Sequence, residues 1–388
     1  MRKIISLYRR GLLNSYYFEK WDALNHVAPE KRRLERLAFI IPFFYPLVLV
    51  LYFFKAIYHS IHARQVEIIE KNVFLGTSVA LKRVASHAGL MSIKKCWIPI
   101  PFETINEVDQ QEQINTFSLC TYNEIVKSFI CSLYLYYKIL FKDGFRNSIK
   151  TLFSFKSFIF YYAACHVDPN STLFFCNHKD IWSIIIDGLP VNNKHLIQHG
   201  TEIIKFNNYN IPSPDCLYNK EFHFWTQNVP SRLSSVTTIY SFSDEETEAM
   251  RQSFLSCNPK TVVVGYGLEL SELRRNVKKH AVLIIGFYKD YSKEEEMVLN
   301  ALNPLDITIF LKNHPAIPEN KYDELKKKYI FELICGAVFP VADLVISYKS
   351  TLALQYESLG VKVLYYDNMD FSSLQEQVKA ILTNDQKI

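Results

Sequence analysis

Two histidines set in short polar turns, and one pair of adjacent hydroxyls, are the residues of this chain best suited to chemistry. They lie in Gln198-His199-Gly200-Thr201, in Lys312-Asn313-His314-Pro315 and in Ser347-Tyr348-Lys349-Ser350-Thr351. His314 can donate a hydrogen bond to a phosphate, and Lys312 supplies a point charge beside it. Hydroxyls such as those of Ser350 and Thr351 cap a helix N-terminus, whose outward N–H groups and dipole favour an anion. These groups suit a phosphate-bearing ligand. His199 is left as a candidate general base, because an imidazole titrates near neutrality. A further polar cluster, Cys176-Asn177-His178-Lys179-Asp180, places His178 and Asp180 where they could orient an acceptor or His199. Each of these residues also has a plain structural reading, as a cap or a core hydrogen-bonding group. Asp244, Glu245 and Glu246 read as the acidic first turn of a helix.

The elements that must position these groups are short and apolar. The runs Lys194–Ile197, Ile307–Leu311 and Asp343–Ile346 each end at one of the three turns, and such β-branched runs read as buried parallel strands. Ligands of open α/β sheets bind beyond the carboxyl ends of the strands, so polar clusters at three strand ends belong to candidate sites. From His166 onward, apolar runs alternate with helical stretches: Thr172–Cys176, Lys194–Ile197, Ser235–Tyr240, Thr261–Val264, Ala281–Ile285, Asp306–Leu311, Leu344–Ile346 and Lys362–Tyr366. Alternation of this kind predicts βα units. The stretch LELSELRRNVKKH before Ala281 reads as a connector between two lobes, with Arg274, Arg275, Lys278, Lys279 and His280 as its cations. The expected organisation is α/β. A mainly helical, aromatic-rich region covers residues 1–165, with Val66–Phe74 and Cys96–Phe102 as candidate strands, and Rossmann-like lobes with parallel sheets follow at 166–275 and 276–388.

The chain has 388 residues, 49% of them hydrophobic and 21% charged, which excludes a disordered chain and allows more than one core. A net charge of +5 without a basic stripe excludes a nucleic-acid binder. The eight cysteines form no Cys-x-x-Cys pair, so no zinc or redox motif is expected, and their scatter fits a reducing cytoplasm. Met1–Asn25 lacks the apolar core of a cleavable signal. Leu37–Phe54 carries no charge and follows Lys31, Arg32, Arg33 and Arg36. It reaches the roughly 18–20 residues of a spanning helix. Pro42 and Pro46 interrupt it, and no clean second span returns the chain. A monotopic insertion or membrane-facing hairpin is favoured over a true span or a soluble core helix.

In order and spacing, Gln-His-Gly-Thr, Lys-x-His-Pro and Ile-Ser-x-x-Ser-Thr resemble bacterial cell-surface polysaccharide transferases of the GT-B fold. The sialyl- and polysialyltransferases share the His-Pro and Ser-Ser/Thr motifs. The related CDP-glycerol glycerophosphotransferases carry Trp-His-Gly-Thr, Arg-x-His-Pro and Ser-Asp-x-Ser-Ser. The resemblance spans roughly residues 170–370. Tyr348 stands where the second family has aspartate. Gln355 stands near where an acidic residue would follow the hydroxyl pair, with Glu357 two positions on. The acidic motif of sialyltransferases is not apparent at Gln198-His199-Gly200. The resemblance implies a GT-B-like pair of lobes and a glycosyltransferase, inverting and without a metal or other cofactor. It would move a sugar from a CMP- or CDP-type donor to a cell-surface glycan or lipid-linked acceptor. His199 would be the base, while Lys312, His314, Ser350 and Thr351 would hold the donor phosphate or nucleotide. The expected location is the cytoplasmic face of the inner membrane, peripheral or monotopic. A glycerol- or ribitol-phosphate transferase and a non-catalytic membrane-associated protein of the same fold remain as alternatives.

Overall fold

The computed structural model describes residues 2–25, 29–62, 66–76, 85–86, 88–101, 112–143, 151, 153–176, 180–198, 231–265, 267–268, 270–273, 280–286, 292–314, 318–336, 338–348, 350–365 and 370–384, with only the backbone for residues 15–43, 143, 292 and 384. The chain divides into two compact units, one within Met1–Val264 and one within Gly265–Ile388.

The first unit is built on a six-stranded, all-parallel sheet. Its strands are β1 (Asn72–Leu75), β2 (Cys96–Ile98), β3 (Thr172–Phe175), β4 (Asn193–Ile197), β5 (Thr238–Ser241) and β6 (Lys260–Val263), in the order β2-β1-β3-β4-β5-β6. The expected separate helical region of residues 1–165 is therefore corrected. It supplies β1 and β2, which pair with β3 in one sheet, and its helices cover that sheet. These helices are α1 (Arg2–Asn25), α2 (Pro29–His62), α3 (Tyr122–Asp143) and α4 (Ser154–Cys165). Helix α2 continues through Pro42 and Pro46. Two short helices follow β3 and β5: α5 (Ile181–Asp187) and α6 (Asp244–Ser253).

Strand alternation sorts the side chains of this sheet onto two faces. Val73, Leu75, Ile98, Leu173, Phe175, Leu196 and Ile239 point into one core with Tyr45, Leu49, Tyr136 and Phe155 from the helices. The other face carries a row of rings in register. Trp97, Phe74, Phe174 and His195 follow one another from strand to strand at 4.5, 4.7 and 4.9 Å between centroids, the first pair tilted, the second stacked and His195 edge-on to Phe174. Burial in this row, with Lys260 adding to the effect, pushes the His195 imidazole down to about 4. The unfolded ring takes up a proton near 6.5 and the folded ring does not, so stability is lost as pH falls through that window. Denaturant titrations at pH 7 and pH 5 should show a lower midpoint at pH 5, and His195→Phe should shrink that difference. An equal loss in the variant would place the acid sensitivity elsewhere.

The second unit holds a five-stranded parallel sheet, β11-β10-β7-β8-β9. Its strands are β7 (Ala281–Ile285), β8 (Thr308–Lys312), β9 (Glu332–Ile334), β10 (Leu344–Ser347) and β11 (Lys362–Tyr365). Val282, Ile284, Leu311 and Ile346 face helices α7 (Ser292–Leu302), α8 (Asp323–Lys328) and α10 (Leu374–Asn384). Leu283, Ile285, Phe310 and Val345 face α9 (Thr351–Ser358) on the other side. The sheet is doubly wound, with helices on both faces. The connector before β7 belongs to this unit and not to a lobe ending at residue 275. Leu268, Leu270 and Leu273 pack on the α9 face, and Ser271 bridges to Pro340.

Candidate functional site

Both sheets reverse their winding once. In the second unit the chain runs β7-β8-β9 to one side and then returns to place β10 and β11 on the other. The crevice beyond the carboxyl ends of β7 and β10 is therefore the switch point at which doubly wound sheets bind ligands. Ser350 and Thr351 lie there. Ser350 is the N-cap of α9, its Oγ accepting from the Ala353 N–H at 3.1 Å, and Thr351 is the first helical residue. The capping hydroxyl serves one backbone donor, and the helix terminus still presents its positive dipole end to the crevice.

Lys312 ends β8 and His314 follows it, on the far side of β7 from β10. Pairing of Ile285 with Lys312 and of Ile284 with Ile346 sets the ends of β8 and β10 on one edge of the sheet. The two clusters are thus separated by the end of β7, about 10 Å at the usual strand spacing, and do not follow adjacent strands. That intervening end is Gly286. A Cβ there would stand 2.6 Å from the Tyr322 hydroxyl and 2.9 Å from the Lys312 carbonyl, so only glycine fits. Tyr348 reaches the same strand end, its hydroxyl donating to the Gly286 carbonyl at 3.5 Å. Tyr348 therefore connects the ends of β10 and β7.

Lys312 does not project outward as the sequence suggested. It is buried, its ammonium donates to the Gly336 carbonyl, and it lies 5.4 Å from the Phe339 ring centroid. Burial lowers its pKa. It braces the loop after β9 and adds positive charge from beneath the edge. His314 is half-buried, and burial lowers its pKa as well, which favours the uncharged ring at neutral pH. Gln355 is buried and donates to the Gly267 carbonyl at 3.1 Å, tying α9 to the connector. Among the described residues, no three His, Cys, Asp or Glu side chains converge as a metal site would require.

In the first unit, His199 and His178 lie outside the described residues. Asp180 is the N-cap of α5: its Oδ1 accepts from the Ser183 N–H at 2.9 Å, and its carbonyl accepts from the Ser183 hydroxyl at 2.7 Å. The short polar side chain thus starts the helix, the plain structural reading given to it above. Sequence reasoning missed the clamp on Gln198. This residue is 1% exposed; its amide donates to Glu246 at 2.8 Å and accepts from the Phe242 N–H at 2.9 Å. Glu246 stands at the third position of α6 behind the Ser243 cap, so Ser243-x-x-Glu246 has capping-box spacing. Its carboxylate turns inward to Gln198, which the acidic first turn alone did not suggest.

No protein-family model and no curated protein matches the chain. Several solved structures resemble it at 10% identity. They include a glycosyltransferase from Rickettsia africae, with a TM-score of 0.42 over 81% of this chain and 89% of that one. HepE of Anabaena in complex with UDP-glucose gives 0.44 over 81% and 90%, and MurG of Acinetobacter baumannii gives 0.36 over 81% and 93%. Likeness at these scores places the chain in none of their families. Its fold class rests on the two parallel sheets, each reversing its winding at a switch point.

Proposed function

We propose that this chain is a GT-B-type glycosyltransferase whose second unit binds a nucleotide-activated sugar, with CMP- or CDP-linked donors favoured. One observation carries the reading: the Ser350-capped helix terminus and His314 flank, on a single carboxyl edge, a strand end that admits no side chain. A phosphate seated over Gly286 would meet backbone N–H groups and the dipole of α9 on one side and the His314 N–H on the other. Lys312 adds a fixed charge below. Preorganised donors of this kind stabilise the negative charge that develops on a departing nucleotide. Charge compensation is thus assigned to side chains and a helix terminus. The acceptor, a glycan or lipid-linked sugar, would be deprotonated by His199, and in-line attack would invert the anomeric carbon. The Gln198 clamp supports this role, because it fixes the residue before His199.

A thermal-shift screen across CMP, CDP, UDP and GDP tests the reading, since a ligand that binds only the native state raises its apparent stability. Calorimetry on the nucleotide that stabilises the chain should then show His314→Ala losing about 1.5–3 kcal/mol, the value of a hydrogen bond to a charged group. Unchanged affinity in a folded His314→Ala protein would remove this residue from the site. Absence of any shift across the four nucleotides would remove the donor site itself. Phosphorus in the product would redirect the chemistry to glycerol- or ribitol-phosphate transfer.

A further inference from the structure

We infer that the outer faces of α2 and α3 form a docking surface for an anionic lipid bilayer. Among the described residues, one helical segment, Phe44–His62, is long and apolar enough to cross a membrane. Its packing ties it into the first unit instead. Tyr45, Leu49 and Ala56 are buried in the unit's core, and the Tyr45 hydroxyl donates to the Thr151 carbonyl at 2.8 Å.

The opposite side of that helix is an exposed stripe of large apolar residues: Phe44, Leu47, Leu51, Phe54, Tyr58 and Ile61. Their spacing alternates between three and four residues, which keeps them on one face. Helix α3 lies antiparallel beside α2, because Tyr45 meets Tyr136 and Phe53 meets Phe129. It has its own exposed stripe, Ile130, Tyr134, Tyr137 and Phe141, turned away from the buried Cys131, Leu135 and Ile139. Two adjacent apolar stripes amount to far more than scattered surface residues, and such patches mark interaction sites.

Charge selects the occupant. Phe44–His62 contains no carboxylate, and the two of α3 lie at its ends, Glu124 paired with His166 and Asp143 at the last position, whereas Lys55, Lys127, Lys138 and Lys142 accompany the stripes. An apolar face with lysines and no acids is complementary to an anionic lipid surface. It is self-repelling toward a second copy of itself. The proposal concerns the first unit and stands whether or not the second unit binds a nucleotide.

Flotation of the full chain with vesicles tests it. The protein should float with phosphatidylcholine vesicles containing phosphatidylglycerol, weakly with phosphatidylcholine alone, and less as salt is raised. The triple variant Leu51→Glu, Phe54→Glu, Phe141→Glu should lose flotation while keeping its circular dichroism and melting temperature, since these side chains are 62%, 62% and 83% exposed. Removing Lys55, Lys127 and Lys142 by substitution with Gln should weaken anionic-vesicle binding roughly fivefold per lysine. Absence of flotation with either vesicle, flotation indifferent to both sets of substitutions, or equal binding to both vesicles would each overturn the proposal. A dimer that the triple variant dissociates, in a protein that binds no vesicles, would assign the face to a second copy.

Discussion

Asp187→Ala is expected to destabilise the first unit by about 3–5 kcal/mol, the cost of leaving a buried charge uncompensated. The Asp187 carboxylate accepts from the backbone N–H groups of Ser234 and Ser235, both at 2.8 Å, and from both serine hydroxyls. Its carbonyl accepts from the Lys194 ammonium at 2.7 Å, and that lysine, 1% exposed, also donates to Leu189 O and Ser235 Oγ at 2.8 Å. One network thus joins the end of α5, the start of β4 and the segment leading into β5. Burial pushes Lys194 down to about 8, with the Asp187 charge working against that shift. Removing the carboxylate strips two partly buried N–H groups of their acceptor and leaves the buried ammonium without its opposing charge. For a domain whose total stability is about 5–15 kcal/mol, this is enough to populate the unfolded state. Chemical denaturation should show the lowered midpoint. The double variant Asp187→Ala, Lys194→Met should lose less than the two single losses added together, because each removes the other's unpaired group. A single-variant loss under about 1 kcal/mol would mean that water replaces the carboxylate.

That network shows where the sequence is silent. Asp187 and Lys194 sit in ordinary helix-end and strand-start contexts, and their partners at 234 and 235 are about forty residues away along the chain. Strands were easier to read. All eight apolar runs after His166 contain or overlap a strand, because a parallel sheet buried on both faces demands continuous apolar stretches. The missed strand, β9, reads Glu-Leu-Ile at a sheet edge, where one neighbour suffices and an acidic residue is tolerated. The two early strands were legible as the candidates Val66–Phe74 and Cys96–Phe102, but their place in the fold was not. Asn72–Leu75 and Cys96–Ile98 lie among aromatic helices, and nothing local says that they join a sheet whose next strand starts at Thr172. The connector was misread for a related reason: Leu268, Leu270 and Leu273 look sparse among charges, yet each finds the face of the second sheet.

The carboxyl edge of the second sheet was legible in part. The Ser350 cap follows directly from a hydroxyl between a strand and an apolar helix, and the structure places it there. Gly286 carried no visible signal, since a glycine after a strand is commonplace. Its significance lies in what surrounds it, the Tyr322 hydroxyl and the Lys312 carbonyl. The side-chain direction of Lys312 was equally hidden, because the carbonyl of Gly336 that captures it belongs to a later loop.

The second large effect expected is on turnover. Under the proposed mechanism, His199→Ala should lower it by roughly 10²–10⁴-fold, the usual range for a general base. The argument begins one residue earlier. Gln198 is held at three points: its backbone N–H donates to Tyr240 at 2.9 Å, and its side chain binds Glu246 and the Phe242 N–H. The chain therefore leaves β4 at a fixed position between β5 and α6, a rigid mount for the residue that follows. Turnover would be read as release of free nucleotide from the sugar donor matching the nucleotide that the thermal screen selects, with a glycan or glycolipid acceptor present. Affinity for that nucleotide should hardly change, because the donor groups lie in the second unit. The pH–rate profile should lose its lower limb, where protonation of the imidazole silences the base. A His199→Ala enzyme with near-native turnover would shift the role to His178 or Asp180. Loss of nucleotide affinity in the same variant would instead make His199 a donor-site residue, and the division of labour between the two units would have to be redrawn.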